Sequence, residues 1–340
     1  MEHEVEKLFQ KAVLEQAAAA FGLDPHAPMQ LLGDFENYVY AAAKDGVPVI
    51  VRLTHSSHRS EAQVRAELDW IHELVRQGIS VPACYRSING APTEKIAVKD
   101  SYFTVIVMEQ AAGHLPDYAN EAEWNAALFQ EWGRVTGRMH RVTSSYAVPS
   151  GSPMRPHWHE DDLLVHASDY FSIGNRIVLQ RLEELQRQLA GLPQRNDAYG
   201  LIHTDIHSRN FFVENGRITV FDFDDCTYHW FVQDIAIPLY YAVSWSVPVH
   251  AGRDSFGNAF LQAFWQGYRA EYVLDPAWLR HVPLFLKLRD MVLYLVLQKK
   301  TEPDQRSERI RTWLAEIEDR IVRDIPIVRI DFKALDVCAT

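Results

Sequence analysis

The stretch from Gly200 to Asp225, GLIHTDIHSRNFFVENGRITVFDFDD, constrains this chain more than any other part of it. Two short runs rich in β-formers, NFFVENG and RITVFDF, flank Asn215-Gly216, a dipeptide that accepts the positive φ angles of a tight hairpin turn. A hairpin returns the chain to where it began, so residues before the first run come to lie beside residues after the second. Before it stand His203, Asp205 and Asn210, spaced His-x-Asp-x-x-x-x-Asn; after it stands Asp222 within Phe-Asp-Phe-Asp. Two acids and an amide therefore converge in a half of the chain that otherwise reads as helical.

Phosphoryl transfer needs a carboxylate to accept the proton of an attacking hydroxyl, and hard oxygen ligands for the Mg2+ that bridges the phosphates of ATP. Asp205 suits the first task; Asn210 and Asp222 suit the second. A buried loop of hydrogen-bonded aspartates with a satisfied core histidine is the bland alternative, and it explains a lone His-x-Asp better than it explains the whole ordered set. His203 and His207 also share an i, i+4 spacing, but the loop supplies no third soft ligand, so zinc is not indicated.

The set His203, Asp205, His207, Asn210, followed by a short hairpin and Asp-Phe-Asp, resembles the catalytic and metal-binding loops of the aminoglycoside phosphotransferase and choline kinase superfamily. Thr204 stands where that family usually has Gly. The resemblance implies an α+β, two-lobed protein-kinase-like fold, with an N-lobe of antiparallel sheet and a helix over residues 1–110 and a mostly helical C-lobe over 111–340. It implies an ATP-dependent, Mg2+-using phosphotransferase with a small-molecule hydroxyl acceptor such as an aminoglycoside, an amino alcohol or homoserine. Asp205 would be the base, His207 and Arg209 donors to the transferred group, and Asn210 and Asp222 the metal ligands. Gln233-Asp234-Ile235-Ala236 is similar to a family segment whose Asp supports the catalytic loop; an ordinary helix N-terminal Asp is the alternative. His140, closing EWGRVTGRMH, resembles a family helix end, with a core-facing or capping role.

The amino-terminal half follows the same plan more loosely. A helical spacing over residues 3–20 ends at Gly22, and the strand runs FENYVYAAA and VPVIVRLTH are joined through Lys44-Asp45-Gly46. Residues 60–77 return to helical period with Val64, Leu68, Ile71 and Val75 on one face, Ser60 as cap and Gly78 as stop. YFTVIVMEQ is a further strand, and Ala111-Ala112-Gly113 after it reads as a hinge. Gly33 and Asn37 resemble the family's loop over the ATP phosphates. Arg52 falls where kinases place their phosphate-pairing cation, and Glu67, on the apolar edge of helix 60–77, is its expected partner ahead of Glu61 and Glu73. Met108, Glu109 and Gln110 fall where adenine would meet the connection between lobes.

Helical periodicity continues over 121–143, 160–190, 231–245, 253–271, 276–299 and 303–324, and residues 241–340 carry no recognisable motif. The charges in His157-Trp158-His159-Glu160-Asp161-Asp162 read as a solvated helix start rather than a metal site. With 34 basic and 45 acidic residues, a net charge of −11 argues against general nucleic-acid binding. Cys84, Cys226 and Cys338 are scattered and odd in number, which fits a reducing compartment, expected to be the cytoplasm. The run Ile235–Val249 is interrupted by Pro238 and Pro248, so no membrane span is expected. Two other readings remain at this level: an atypical Ser/Thr protein kinase, disfavoured by the short Asp222–Asp234 connection, and a nucleotide-binding scaffold, disfavoured because Asp205, Asn210 and Asp222 are all present.

Overall fold

A computed structural model of the chain describes residues 3–170, 176–246, 252–301 and 303–332. Two short helices, α1 (His3–Leu8) and α2 (Lys11–Ala20), lead into an antiparallel sheet built from β1 (Gln30–Gly33), β2 (Asn37–Lys44) and β3 (Val47–His55). Helix α3 (Glu61–Arg76) follows, then β4 (Cys84–Tyr85), β5 (Glu94–Val98) and β6 (Ser101–Glu109). The strand order is β1-β2-β3-β6-β4, with β5 also pairing β6. The leading helix expected as one piece is two, broken at Phe9 and Gln10, where the Phe9 ring stacks on Tyr38 at 3.7 Å between ring centroids.

Strand alternation divides the sheet's two faces between two cores. Val49, Val51 and Leu53 of β3 and Val105 and Val107 of β6 pack beneath α1 and α2 with Phe21, Tyr38 and Phe103. Ile106, one residue out of phase, joins the other core through α3, whose Val64, Leu68, Trp70 and Ile71 are buried there. The same alternation turns Arg52 toward α3. Ser60 caps α3 in a reciprocal capping box with Gln63.

Beyond β6, Gly113 adopts φ +100° against the Val213 backbone, and His114 pairs with Val213 by two backbone bonds of 3.2 and 2.8 Å. The expected hinge is thus tied to the hairpin of the second half. There α4 (Ala126–Ser145), α5 (Asp162–Val165) and α6 (Arg176–Ala190) precede β7 (Tyr199–Ile202), β8 (Phe211–Glu214), β9 (Arg217–Val220) and β10 (Thr227–Trp230). Helices α7 (Gln233–Trp245), α8 (Arg253–Arg269), α9 (Val282–Lys300) and α10 (Glu308–Arg323) complete it.

The single helix expected over 160–190 is a correction. Trp158–Glu160 and Ala167–Tyr170 are 3-10 turns with α5 between them, and only α6 is a long helix. Consecutive short turns that each bury one residue, here Trp158, Leu164 and Ala167, mimic helical periodicity. Helix α4 starts later than expected because Asn125 caps it, its side-chain oxygen accepting from Ala127 N at 2.9 Å. Helices α4 and α8 approach closely: a Cβ on Gly133 would lie 1.9 Å from the Phe264 carbonyl oxygen. Farther along α4, His140 reaches Asp234 at the start of α7.

Candidate active site

The hairpin β8–β9 pairs Phe211 with Val220 through to Glu214 with Arg217, and Asn215 and Gly216 both take positive φ at its turn. The Phe221 N–H donates to the Asn210 carbonyl at 2.9 Å, so the loops before and after the hairpin lie side by side. His203 ties them further. Its Nδ1 accepts from Asp205 N at 3.3 Å and its Nε2 meets the Phe221 carbonyl at 3.1 Å, which selects the tautomer protonated at Nε2.

The backbone of the His203–Asp205 loop is held from below by Asp234 at the start of α7. Its fully buried carboxylate accepts from Thr204 N at 2.7 Å and His203 N at 3.1 Å, and meets His140 Nε2 at 3.2 Å. His140, on α4, is itself buried, stacked on Phe231 and bonded to the Tyr268 hydroxyl. Thr204 has φ +67°, a conformation costly for a β-branched residue and free for glycine. Its hydroxyl donates to the Asp225 carbonyl at 2.8 Å, a bond glycine could not make. Asp222 shares the left-handed conformation at φ +65°.

Asp205 is held at both oxygens. Oδ2 accepts from Asn210 Nδ2 at 3.2 Å and lies 3.3 Å from His207 Nε2; Oδ1 accepts from Arg289 Nη2 at 2.7 Å. Burial by itself would raise this carboxyl, but Arg289 first and then His207 and His203 outweigh it and hold it down at about 2. It is ionised at neutral pH, ready to accept a hydrogen bond from a hydroxyl. Asp222 is exposed on one side, yet the desolvating protein around it, followed by Asp224, pushes its carboxyl up to about 8 against the pull of Arg52. Solvent on the open side screens part of that effect. A carboxylate under such repulsion, beside the Asn210 loop, has the donor chemistry a divalent cation would neutralise.

Arg52 and Glu67 form two parallel bonds of 2.8 and 2.7 Å, with 4% and 0% of their surfaces exposed. The alternatives are engaged elsewhere: Glu61 with Lys95 at 3.0 Å and Glu73 with Arg76 at 2.7 Å. Asn37 spends its side-chain oxygen on Thr54 Oγ1 at 2.6 Å, while Gly33 ends β1 facing open space. Met108 lies opposite Cys84 near the end of β6, the Glu109 N–H is bonded to the Ala83 carbonyl at 2.9 Å, and Gln110, just past β6, is exposed. Arg209 is exposed, its guanidinium 5.0 Å above the Trp245 ring, and His207 packs edge-on to Tyr241 and Trp245.

Several site contacts lie outside any expected motif. Arg289 reaches Asp205 from α9, and the Tyr241 hydroxyl on α7 accepts from its guanidinium. His58 and Arg59 join the loop after β3 to Asp224 at 2.6 Å and Asp225 at 3.1 Å, and Lys300 meets Glu36 at 3.6 Å in the β1–β2 loop. One signal was available for Arg289: with Lys287 and Asp290 it interrupts an otherwise apolar stretch of α9, where buried charges must find partners.

The model of the phosphotransferase enzyme family matches residues 29–282. The chain is 38% identical over 336 residues to the amicoumacin kinase of Bacillus subtilis (strain 168), covering 98% of each. It superposes with a TM-score of 0.92, at 37% identity over 98% of this chain and 100% of the other, on an amicoumacin kinase solved in complex with AMP-PNP, Ca2+ and Ami. A microcompartment-associated aminopropanol kinase shares the fold at 23% identity, with a TM-score of 0.75 over 93% of this chain and 98% of the other. A spectinomycin phosphotransferase does so at 15% and 0.61, over 93% and 98%. No helix among the described residues is long and apolar enough to cross a membrane. The chain belongs to the phosphotransferase enzyme family and is an ATP-dependent phosphotransferase of small-molecule hydroxyl groups.

Proposed function

We propose that this chain phosphorylates a hydroxyl of amicoumacin or a close chemical relative, using Mg-ATP. The observation that carries the acceptor is the similarity to amicoumacin kinases along the whole chain, including the C-terminal helices that wall the space beside Asp205. The N-lobe, residues 1–110, would take the nucleotide: Gly33 and Asn37 shape the loop over the phosphates, Arg52 oriented by Glu67 pairs with them, and Met108–Gln110 border the adenine. The C-lobe, residues 111–340, would supply the chemistry and the acceptor wall.

Asn210 and Asp222 would hold Mg2+, which when bound neutralises charge on the phosphate oxygens. Asp205 receives the acceptor hydroxyl, orients its oxygen toward the nucleotide and takes its proton. His207 and Arg209 donate to the charge that develops on the transferred group. The free thiols of Cys84 and Cys226 suit a cytoplasmic enzyme.

Purified protein incubated with Mg-ATP and amicoumacin should yield phosphorylated amicoumacin by mass spectrometry. Asp205→Asn should abolish that turnover while Mg-ATP affinity stays nearly constant. A variant that keeps most of its activity removes Asp205 from this role, and nucleotide binding without transfer to amicoumacin removes the acceptor assignment.

A further inference from the structure

Neighbouring residues on α7 and α9 face opposite ways. Tyr240 and Asp290 turn toward α10, where the Tyr240 hydroxyl donates to Asp290 at 2.7 Å and Arg320 donates to both Asp290 oxygens at 2.6 and 3.1 Å. Tyr240 and Asp290 are buried. This network locks the register of α9 against α7. One residue back along α9 and one forward along α7, Arg289 and Tyr241 turn toward the catalytic loop. The Arg289 guanidinium lies 4.8 Å over the Tyr241 ring, Nε donates to its hydroxyl at 3.0 Å, and Nη2 reaches Asp205 Oδ1.

The terminal torsion of an aspartate is soft, so one contact leaves the carboxylate plane free to turn. Asn210 and His207 hold only Oδ2, on the side of the expected metal ligands. Arg289 supplies the second point, from a residue 84 positions away in the chain. We propose that Arg289 is a positioning residue of the transfer reaction: it fixes the carboxylate plane of Asp205 and thereby decides which nucleophilic oxygen is aligned with the nucleotide. This rests on the reading of Asp205 as the base. With Arg289 in place, the carboxylate offers an incoming hydroxyl a single well-defined lone-pair direction. Without it the plane turns, the acceptor oxygen loses its alignment, and water competes for the same site.

The test compares Arg289→Ala, Arg289→Lys and Tyr241→Phe with wild type for kcat, the KM of Mg-ATP, the KM of amicoumacin, and the ratio of phosphorylated amicoumacin to ADP released. Arg289→Ala should lose about 10- to 100-fold in kcat, the scale of a small misplacement of reacting groups, with the KM of Mg-ATP unchanged. Its ratio of product to ADP should fall as water takes a larger share of the phosphoryl groups. Arg289→Lys should recover part of kcat, and added guanidinium chloride should rescue Arg289→Ala but not Asp205→Asn. Tyr241→Phe, a milder change that keeps the ring, should show the same pattern with a smaller loss.

Wild-type kcat and coupling in Arg289→Ala would overturn the inference. So would a loss that neither lysine nor guanidinium relieves and that falls equally on the KM of Mg-ATP. If wild type consumes ATP but does not modify amicoumacin, the acceptor assignment fails alone, and the same variants are ranked by ATP hydrolysis, where Arg289→Ala must again fall and again be rescued. A wild type that consumes no ATP refutes the proposed activity, and the inference with it.

Discussion

Replacing Glu67 by Ala removes one partner of a buried, bidentate ion pair and leaves the Arg52 guanidinium without its hydrogen-bonded carboxylate. Arg52 is 4% exposed and Glu67 fully buried, so the orphaned guanidinium cannot reach water without opening the space between β3 and α3. Breaking such a pair costs about 3–5 kcal/mol, most of it the penalty of a lone buried charge rather than the net worth of the pair. Replacing both residues, as Arg52→Met with Glu67→Leu, removes that penalty and should return to within about 1 kcal/mol of wild type, roughly 2–4 kcal/mol more stable than Glu67→Ala. Hydrogen exchange at the amides of β3 reads this locally: Glu67→Ala should speed it by roughly two to three and a half orders of magnitude, at 1.36 kcal/mol per decade. The double variant should restore protection yet bind Mg-ATP weakly, since it lacks the cation. A double variant no better protected than Glu67→Ala would refute the account of where the energy lies. Full ATP affinity in the double variant would remove Arg52 from the phosphates.

Asp234→Ala deletes three contacts under the catalytic loop and should lower both kcat, by at least about tenfold, and stability, by about 3 kcal/mol, as expected when a buried charged acceptor bonded to several donors is lost; unchanged kcat would limit Asp234 to the helix end. His229 is buried among Trp158, Trp230 and Phe285, accepts from Trp230 N, and is held down at about 3 by burial alone. The unfolded chain therefore binds a proton there that the folded chain refuses between about pH 6.5 and 3, so this site's stabilisation is complete above pH 6.5 and is lost as the pH falls. Between pH 7 and 5 wild type should lose about 2 kcal/mol more than His229→Gln in urea unfolding, and equal losses would refute the assignment. Thr204 stands where regulated protein kinases carry the arginine that reads a phosphorylated loop, so phosphatase-treated protein should keep its full transfer rate; a large loss restored by rephosphorylation would contradict this.

Much of the site was legible in the sequence because its members are local. Asn215-Gly216 brings Asp205, Asn210 and Asp222 together within one hairpin, and strand alternation followed by one capped helix turns Arg52 and Glu67 toward each other across 15 positions. Such relations depend only on the periods of strand and helix and on the turn residues between them. Thr204 was visible as a departure from the family pattern, but its left-handed φ and its bond to the Asp225 carbonyl were not.

The sequence alone therefore determined the fold class, the hairpin that gathers Asp205, Asn210 and Asp222, the ion pair behind the sheet and the kind of chemistry. Tertiary structure alone decided what surrounds them: that Arg289 grips Asp205, that His140 meets Asp234 beneath the loop, that His58 and Arg59 cross to Asp224 and Asp225 over 166 positions, and that Lys300 meets Glu36. It also decided that residues 158–170 break into short turns packed beside α9 rather than continuing a helix. The reason is physical. A contact set by the packing angle of two helices has no period in the sequence, and a charge inside an apolar helix announces that it has a partner without saying which.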